Sequence, residues 1–160
     1  MNVNFRVVTQ TDWDAIAPMM LGLYQADPSP NLVTQDNVAR TLQETIQHPE
    51  KLQLIGFSLD HALIGYALLV FYWSNEMGGN VIFIDELFIQ AAHRGQGLAT
   101  QFFTWLEQQF EQQAQAFVLE TTPTNTRARA LYQKLGFHPY KNQLLIKRQV
   151  QVIDNSRAPQ

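Results

Sequence analysis

Cysteine is absent from the 160-residue chain. Disulfides, thiolate-held metal and covalent catalysis through a thiol are therefore excluded. Positive charge is also scarce: Lys+Arg 11 stand against Asp+Glu 14, a net charge of -3, which offers no general pull toward nucleic acid or an anionic membrane surface. Neither is expected as a partner, and a cationic partner suits this balance better. Long hydrophobic runs are missing too, the longest covering residues 66–73, far below the ~20 residues of a membrane span. The N-terminal residues 1–6 carry no apolar signal segment, so a cytoplasmic location is the expectation. His48, His61, His93 and His138 fall in turns or loops without metal-ligand spacing, and no metal site is expected. No repeat, low-complexity segment or linker interrupts the chain, whose 46% hydrophobic content suffices for one core and is short for two.

What is present reads as alternating elements. Residues 5–8 suggest a first strand, and Thr11 or Asp12 can cap a helix whose apolar positions Ile16, Met20 and Leu23 recur at helical spacing. Pro28 and Pro30 should end it, because proline biases its predecessor away from helical angles. A second helix is predicted over residues 35–47, with Val38, Leu42, Thr45 and Ile46 on one face. Two β-rich runs, residues 51–59 and 62–73, joined by Asp60 and His61, have the pattern of an antiparallel hairpin.

The chain is organised around residues 80–106, NVIFIDELFIQAAHRGQGLATQFFTWL. An apolar strand is interrupted by Asp85 and Glu86 and passes through a glycine turn into a helix with Leu98, Phe102, Leu106 and Phe110 on one stripe. N–H groups at such a helix start lack intrahelical partners and lie at the positive end of the dipole, which suits a phosphate. A nucleotide-triphosphate loop is excluded because no Gly-Lys-Ser/Thr follows. A dinucleotide fingerprint fits poorly, since Thr100 occupies its third glycine position and the preceding strands form an antiparallel meander. A fifth strand is expected at residues 116–120, parallel to its predecessor because a helix connects them. Asn125 or Thr124 can cap a further helix that closes at Gly136. Residues 137–140 and 143–150 suggest the last strands, and residues 153–160 a tail.

Two motifs then stand in order. Arg94, Gly97 and Ala99 match the spacing Gln/Arg-x-x-Gly-x-Gly/Ala, and Asn125, Ala128, Leu131, Tyr132, Gly136 and Phe137 meet every specified position of Asn-x-x-Ala-x-x-Leu-Tyr-x-x-x-Gly-Phe. In both the chain resembles the GNAT superfamily of N-acetyltransferases, and more distantly its diamine acetyltransferases. The resemblance implies an α/β fold with a single mixed, mostly antiparallel sheet of about seven strands, splayed between strands 4 and 5 and flanked by about four helices. It implies a domain over residues 1–152 followed by the tail. It also implies acetyl-CoA as cosubstrate: the backbone of Leu87, Phe88 and Ile89 along its pantetheine arm, and Arg94, Gly95, Gln96, Gly97, Leu98, Ala99 and Thr100 around its pyrophosphate. Asn125 matches a position that contacts the cofactor, a role compatible with capping its helix. A homodimer is implied as well.

An alkyl ammonium has a pKa near ~10.4 and must lose a proton before it can attack a thioester. A base is therefore needed, and Asp85 and Glu86 break an apolar strand in which unpaired carboxylates are costly. Neighbours in a regular strand point to opposite faces, while a bulge would change which one reaches the cleft. Glu86 is favoured as base or amine-binding group, acting directly or through water, with Asp85 second; a salt bridge elsewhere is the structural alternative. Tyr132 matches the general acid that protonates the leaving thiolate, although Ala128, Leu131, Tyr132 and Leu135 also form a stripe that core packing alone would explain. Tyr24, Asp27, Trp73 and Glu76 are candidate acceptor contacts, behind the reading of them as surface or core residues. The expected activity is acetyl transfer to a primary amine, a small cationic amine or a peptide amine, through a ternary complex. The alternative is a noncatalytic acyl-CoA sensor on the same fold.

Overall fold

The computed structural model describes residues 3–26, 32–141 and 144–147. Strand β1 (Asn4–Val7) leads through a short 3-10 turn into helix α1 (Trp13–Ala26). Asp12 closes this turn by accepting the Thr9 N–H at 2.8 Å, and it pairs with the Arg6 guanidinium at 2.7 and 2.8 Å. The capping box of Thr9 and Asp12 thus opens the 3-10 turn that leads into the helix. Helix α2 (Gln35–Gln47) has the predicted bounds, with the Thr34 hydroxyl accepting the Asn37 N–H. Its buried face is narrower than the periodicity suggested. Val38, Leu42 and Thr45 are buried, whereas Ile46 remains 49% exposed.

Strands β2 (Leu52–Leu59) and β3 (Ala62–Ser74) form the expected hairpin. Asp60 and His61 both take positive φ, 48° and 69°, as a two-residue turn matched to strand twist requires. Strand β4 (Gly79–Ile89) pairs antiparallel with β3, helix α3 (Leu98–Gln109) follows, and β5 (Ala114–Leu119) returns parallel to β4. Helix α4 (Thr126–Lys134) ends before Gly136, whose φ of 88° suits a glycine.

The described residues build one five-stranded sheet in the order β1-β2-β3-β4-β5, flanked by four α-helices. This corrects the expectation of about seven strands. Residues 137–141 and 144–147 carry no strand, and the remainder of the last predicted strand, like the tail, lies outside the described residues. Phe137 instead packs edge-to-face on Phe103 and Tyr132, at ring distances of 5.4 and 5.9 Å. That contact draws the chain leaving α4 toward the helices, and strand propensity without a paired edge does not make a strand.

Each sheet face buries its own cluster. On one side Ile55, Phe57, Leu69, Ile82 and Ile84 meet Leu98, Phe102, Phe103 and Leu106 of α3; on the other Leu54, Tyr66 and Leu68 meet Ile16 and Met20 of α1 and Val38 and Leu42 of α2. Full burial of each large side chain contributes about 1.5–3 kcal/mol, so β3 and β4, covered on both sides, form a rigid centre for what they carry.

Candidate active site

The cleft begins where a strand pair ends. β4 and β5 stay in register from Asn80↔Ala114 to Ile84↔Leu119 and then part, while β4 continues to Ile89. Beyond Ile84, the β4 edge that faced β5 has no strand partner among the described residues. The gap opens into a cavity of about 800 Å³ walled by α1, the second half of β4, the glycine turn, the start of α3, the residues after β5 and α4.

At the parting point β4 bulges. Leu68 pairs with Glu86 and Leu69 with Ile84, so Asp85 is the extra residue. The bulge reverses the parity of everything after it. Ile82 and Ile84 point to the α3 face; uninterrupted alternation would send Glu86 there too, into an apolar core. Instead Glu86 faces α1, and Leu87 and Ile89 pack toward α3. Both carboxylates border the cavity, but in opposite circumstances. Asp85 is exposed; the protein wall around it and the nearby charge of Glu120 raise its pKa. Glu86 is only 7% exposed. Its Oε1 accepts the Tyr24 hydroxyl at 2.5 Å and its Oε2 the Tyr66 hydroxyl at 2.8 Å. Burial raises the Glu86 pKa, the two phenol hydrogen bonds oppose that rise, and the charge of Asp85 adds to it.

The glycine turn forms the far end of the cleft. Gly95 and Gly97 adopt φ of 77° and 78°, conformations that a side chain would strain, and Gly97 caps α3 without a side-chain bond. The first-turn N–H groups of α3 are thereby left for a ligand. Arg94 is anchored nearby: its Nε donates to the Ile89 carbonyl at 2.7 Å and its guanidinium lies 5.6 Å from the Phe88 ring centre. Arg127 of α4 sits over Gly95, close enough that a Cβ there would come within 3.3 Å of its Nη2. Two guanidinium groups and the N–H groups at the α3 start suit a pyrophosphate, and the open edge of Leu87, Phe88 and Ile89 suits the amides of a pantetheine arm. The residues present thus fit CoA.

Tyr132 projects from α4 into the same cavity, its ring wedged edge-to-face against Phe103 and Phe137 at 5.9 Å each. Burial alone raises its pKa, which keeps it a proton donor at neutral pH. Asn125 caps α4, its Oδ1 accepting the Ala128 N–H at 3.2 Å, while also lining the cavity.

Of the residues singled out in the sequence, the cavity lining includes Tyr24, Asp85, Glu86, Leu87, Phe88, Ile89, Arg94, Gly95, Gly97, Leu98, Ala99, Thr100, Asn125 and Tyr132. Gln96 is not among them; its side chain folds back to donate to the Ala92 carbonyl at 3.2 Å. Trp73 and Glu76 are not brought to the cleft either. Because β3 runs antiparallel to β4, its end meets the beginning of β4, with Trp73 opposite Asn80 and 66% exposed. Glu76 accepts the Tyr140 hydroxyl at 2.6 Å. Asp27 lies outside the described residues. Sequence reading missed Tyr66, Glu120 and Arg127. Tyr66 is hidden in the longest apolar run, where nothing distinguishes a working phenol from packing. Arg127 sits at an unspecified position of the second motif, and Glu120 had a visible signal as the charged residue closing a strand.

Among described residues no helix is long and apolar enough to cross a membrane. No curated protein matches the chain by sequence. Its fold is that of several solved structures. A possible acetyltransferase from Clostridium difficile 630 superposes with a TM-score of 0.82 at 14% identity, over 94% of this chain and 99% of that one. Ribosomal-protein-alanine N-acetyltransferase from Brucella melitensis biovar Abortus 2308 gives 0.76 at 19% identity, over 92% and 100%. An aminoglycoside N-acetyltransferase in complex with CoA gives 0.75 at 18% identity, over 93% and 96%. The family model described as Acetyltransferase (GNAT) family matches residues 18–137, and the chain belongs to that family.

Proposed function

We propose that the protein moves the acetyl group of acetyl-CoA directly to a primary amine within a ternary complex, a small cationic amine being the favoured acceptor and a peptide amine the other. The observation that carries this reading is convergence: an anion-binding turn, an exposed carboxylate and a buried-ring phenol line one cleft on an open strand edge. When bound, acetyl-CoA supplies an acetyl group activated as a thioester. Asp85 is the better placed base. It stands on the bulge with no hydrogen-bond or ion-pair partner among the described residues, and its raised pKa brings its basicity closer to neutral pH, where proton transfer from an amine is most useful. Asp85 takes the ammonium proton, the amine nitrogen bonds the acetyl carbon, Tyr132 gives its proton to the sulfur as the C–S bond breaks, and the second proton shed by the new amide nitrogen restores the Tyr132 phenol. Asp85 and Glu120 supply negative potential where the amine approaches, which favours a cationic acceptor.

The domain is assigned to residues 1–152 and the assembly to a cytoplasmic homodimer, again as proposals. Thiol release from acetyl-CoA, followed across polyamines, an amino sugar, a lysine-containing peptide and a free peptide N-terminus, tests the activity. Amine-dependent release is expected. CoA binding without release on any amine would replace transfer with a sensor role.

A further inference from the structure

The Tyr24–Glu86–Tyr66 triad is more than the acid–base reading of the cleft uses. Glu86 is almost wholly buried, and each of its oxygens is committed to a phenol. Tyr66 is 0% exposed, stacked 6.0 Å from Phe88 and packed within the α1/α2 cluster. Its hydroxyl can reach no water, so its bond to Glu86 Oε2 is structurally obligatory. Tyr24, by contrast, is half-buried and lines the cavity from α1.

A phenol carries one proton and two lone pairs. The Tyr24 proton is given to Glu86, so toward anything in the cleft Tyr24 can only accept. The bond to a carboxylate also enriches its oxygen in electron density. Such an oxygen selects a partner that brings N–H donors. Glu86, 7% exposed and with a lone pair on each oxygen already given to a phenol, is poorly placed to remove a proton itself.

We propose that Glu86 is a positioning residue, clamped from behind by Tyr66, and that it holds the Tyr24 oxygen as the hydrogen-bond acceptor for an N–H of the incoming amine. The assignment rests on the amine-acetyltransferase reading for its ligand class, and it deepens that reading by giving acceptor recognition to a helix outside the CoA-facing elements. The bulge is what makes it possible, because only the reversed parity of β4 brings Glu86 to the α1 side.

The test is calorimetric binding of an accepted amine to the CoA-bound protein, run beside steady-state kinetics, for wild type, Tyr24→Phe and Glu86→Gln. Losing a hydrogen bond to a charged donor corresponds to about 10- to 100-fold in affinity. Tyr24→Phe is therefore expected to weaken amine binding and raise the amine KM by about that factor, with a smaller fall in kcat. Glu86→Gln is expected to shift KM in the same direction while keeping the acidic limb of the pH–rate profile. Unchanged amine affinity in Tyr24→Phe would overturn the proposal, as would a Glu86→Gln enzyme that loses the acidic limb at saturating amine. The two readings separate cleanly: a wild type that binds amine through Tyr24 yet releases no thiol ends the transfer reading and supports this one, whereas normal transfer with Tyr24→Phe at wild-type affinity ends this one alone.

Discussion

The two halves of β4 share a neighbour in β3 and differ in what lies on the other side. Residues 80–84 are paired with β5 as well, and Ile82 and Ile84 are sealed against α3 at 1% and 4% exposure. Residues 85–89 have lost β5 and border the cavity. One inserted residue, Asp85, stands at the boundary. A single strand thus divides stability from chemistry: the closed half is paired on both edges and packs Ile82 and Ile84 into the core, and the open half has one edge without a strand partner among the described residues and carries the two carboxylates to the cavity. That division can be broken or sharpened by mutation.

The largest effect belongs to the closed half. Ile82→Ala removes buried methylenes at the sheet centre and should cost about 2–5 kcal/mol in denaturant unfolding, with turnover per folded molecule close to wild type. If turnover falls well beyond the folded fraction, the two halves are not separable. Next comes the phenol across the open half. Tyr132→Phe should lower kcat on the order of 10²-fold with little change in CoA affinity by calorimetry, and wild-type turnover would leave Tyr132 as core packing only.

Asp85→Asn sharpens the comparison most, because its two consequences have opposite signs. Turnover should fall by roughly 10-fold or more at neutral pH, and the ionisation that shapes the acidic limb should vanish. Stability should rise. A carboxyl whose folded pKa is raised stabilises the fold fully below its unfolded pKa, and that contribution is lost as pH rises through the folded value. The variant's gain over wild type should therefore appear at neutral pH and disappear below the ordinary carboxylate range in pH-dependent melting. A variant less stable than wild type at pH 7 would show that the open half does hold the fold together. The smallest effect is at the cap of α4: Asn125→Ala should cost about 1 kcal/mol, and a fall in CoA affinity larger than this loss would add cofactor contact to capping.

Local patterns were legible because they are local. The periodic run of α2, the two-residue turn at Asp60 and His61, the glycine start of α3 and the Asn125 and Gly136 limits of α4 all follow from backbone and patterning preferences a few residues long. The two motifs and the polar interruption at Asp85 and Glu86 named the family and the carboxylate pair. The elements through α4, the glycine turn and the candidate phenol Tyr132 were thus readable from the sequence. Tertiary structure alone decided how the carboxylates differ, because a bulge depends on which β4 residues Leu68 and Leu69 of β3 meet across the ladder. It also decided that Tyr66, unremarkable within an apolar run, clamps Glu86 from a distance of 20 residues, and that Trp73 and Glu76 end at the wrong end of the sheet for the cleft. Pairing register and strand direction are long-range facts, and no window of sequence contains both partners.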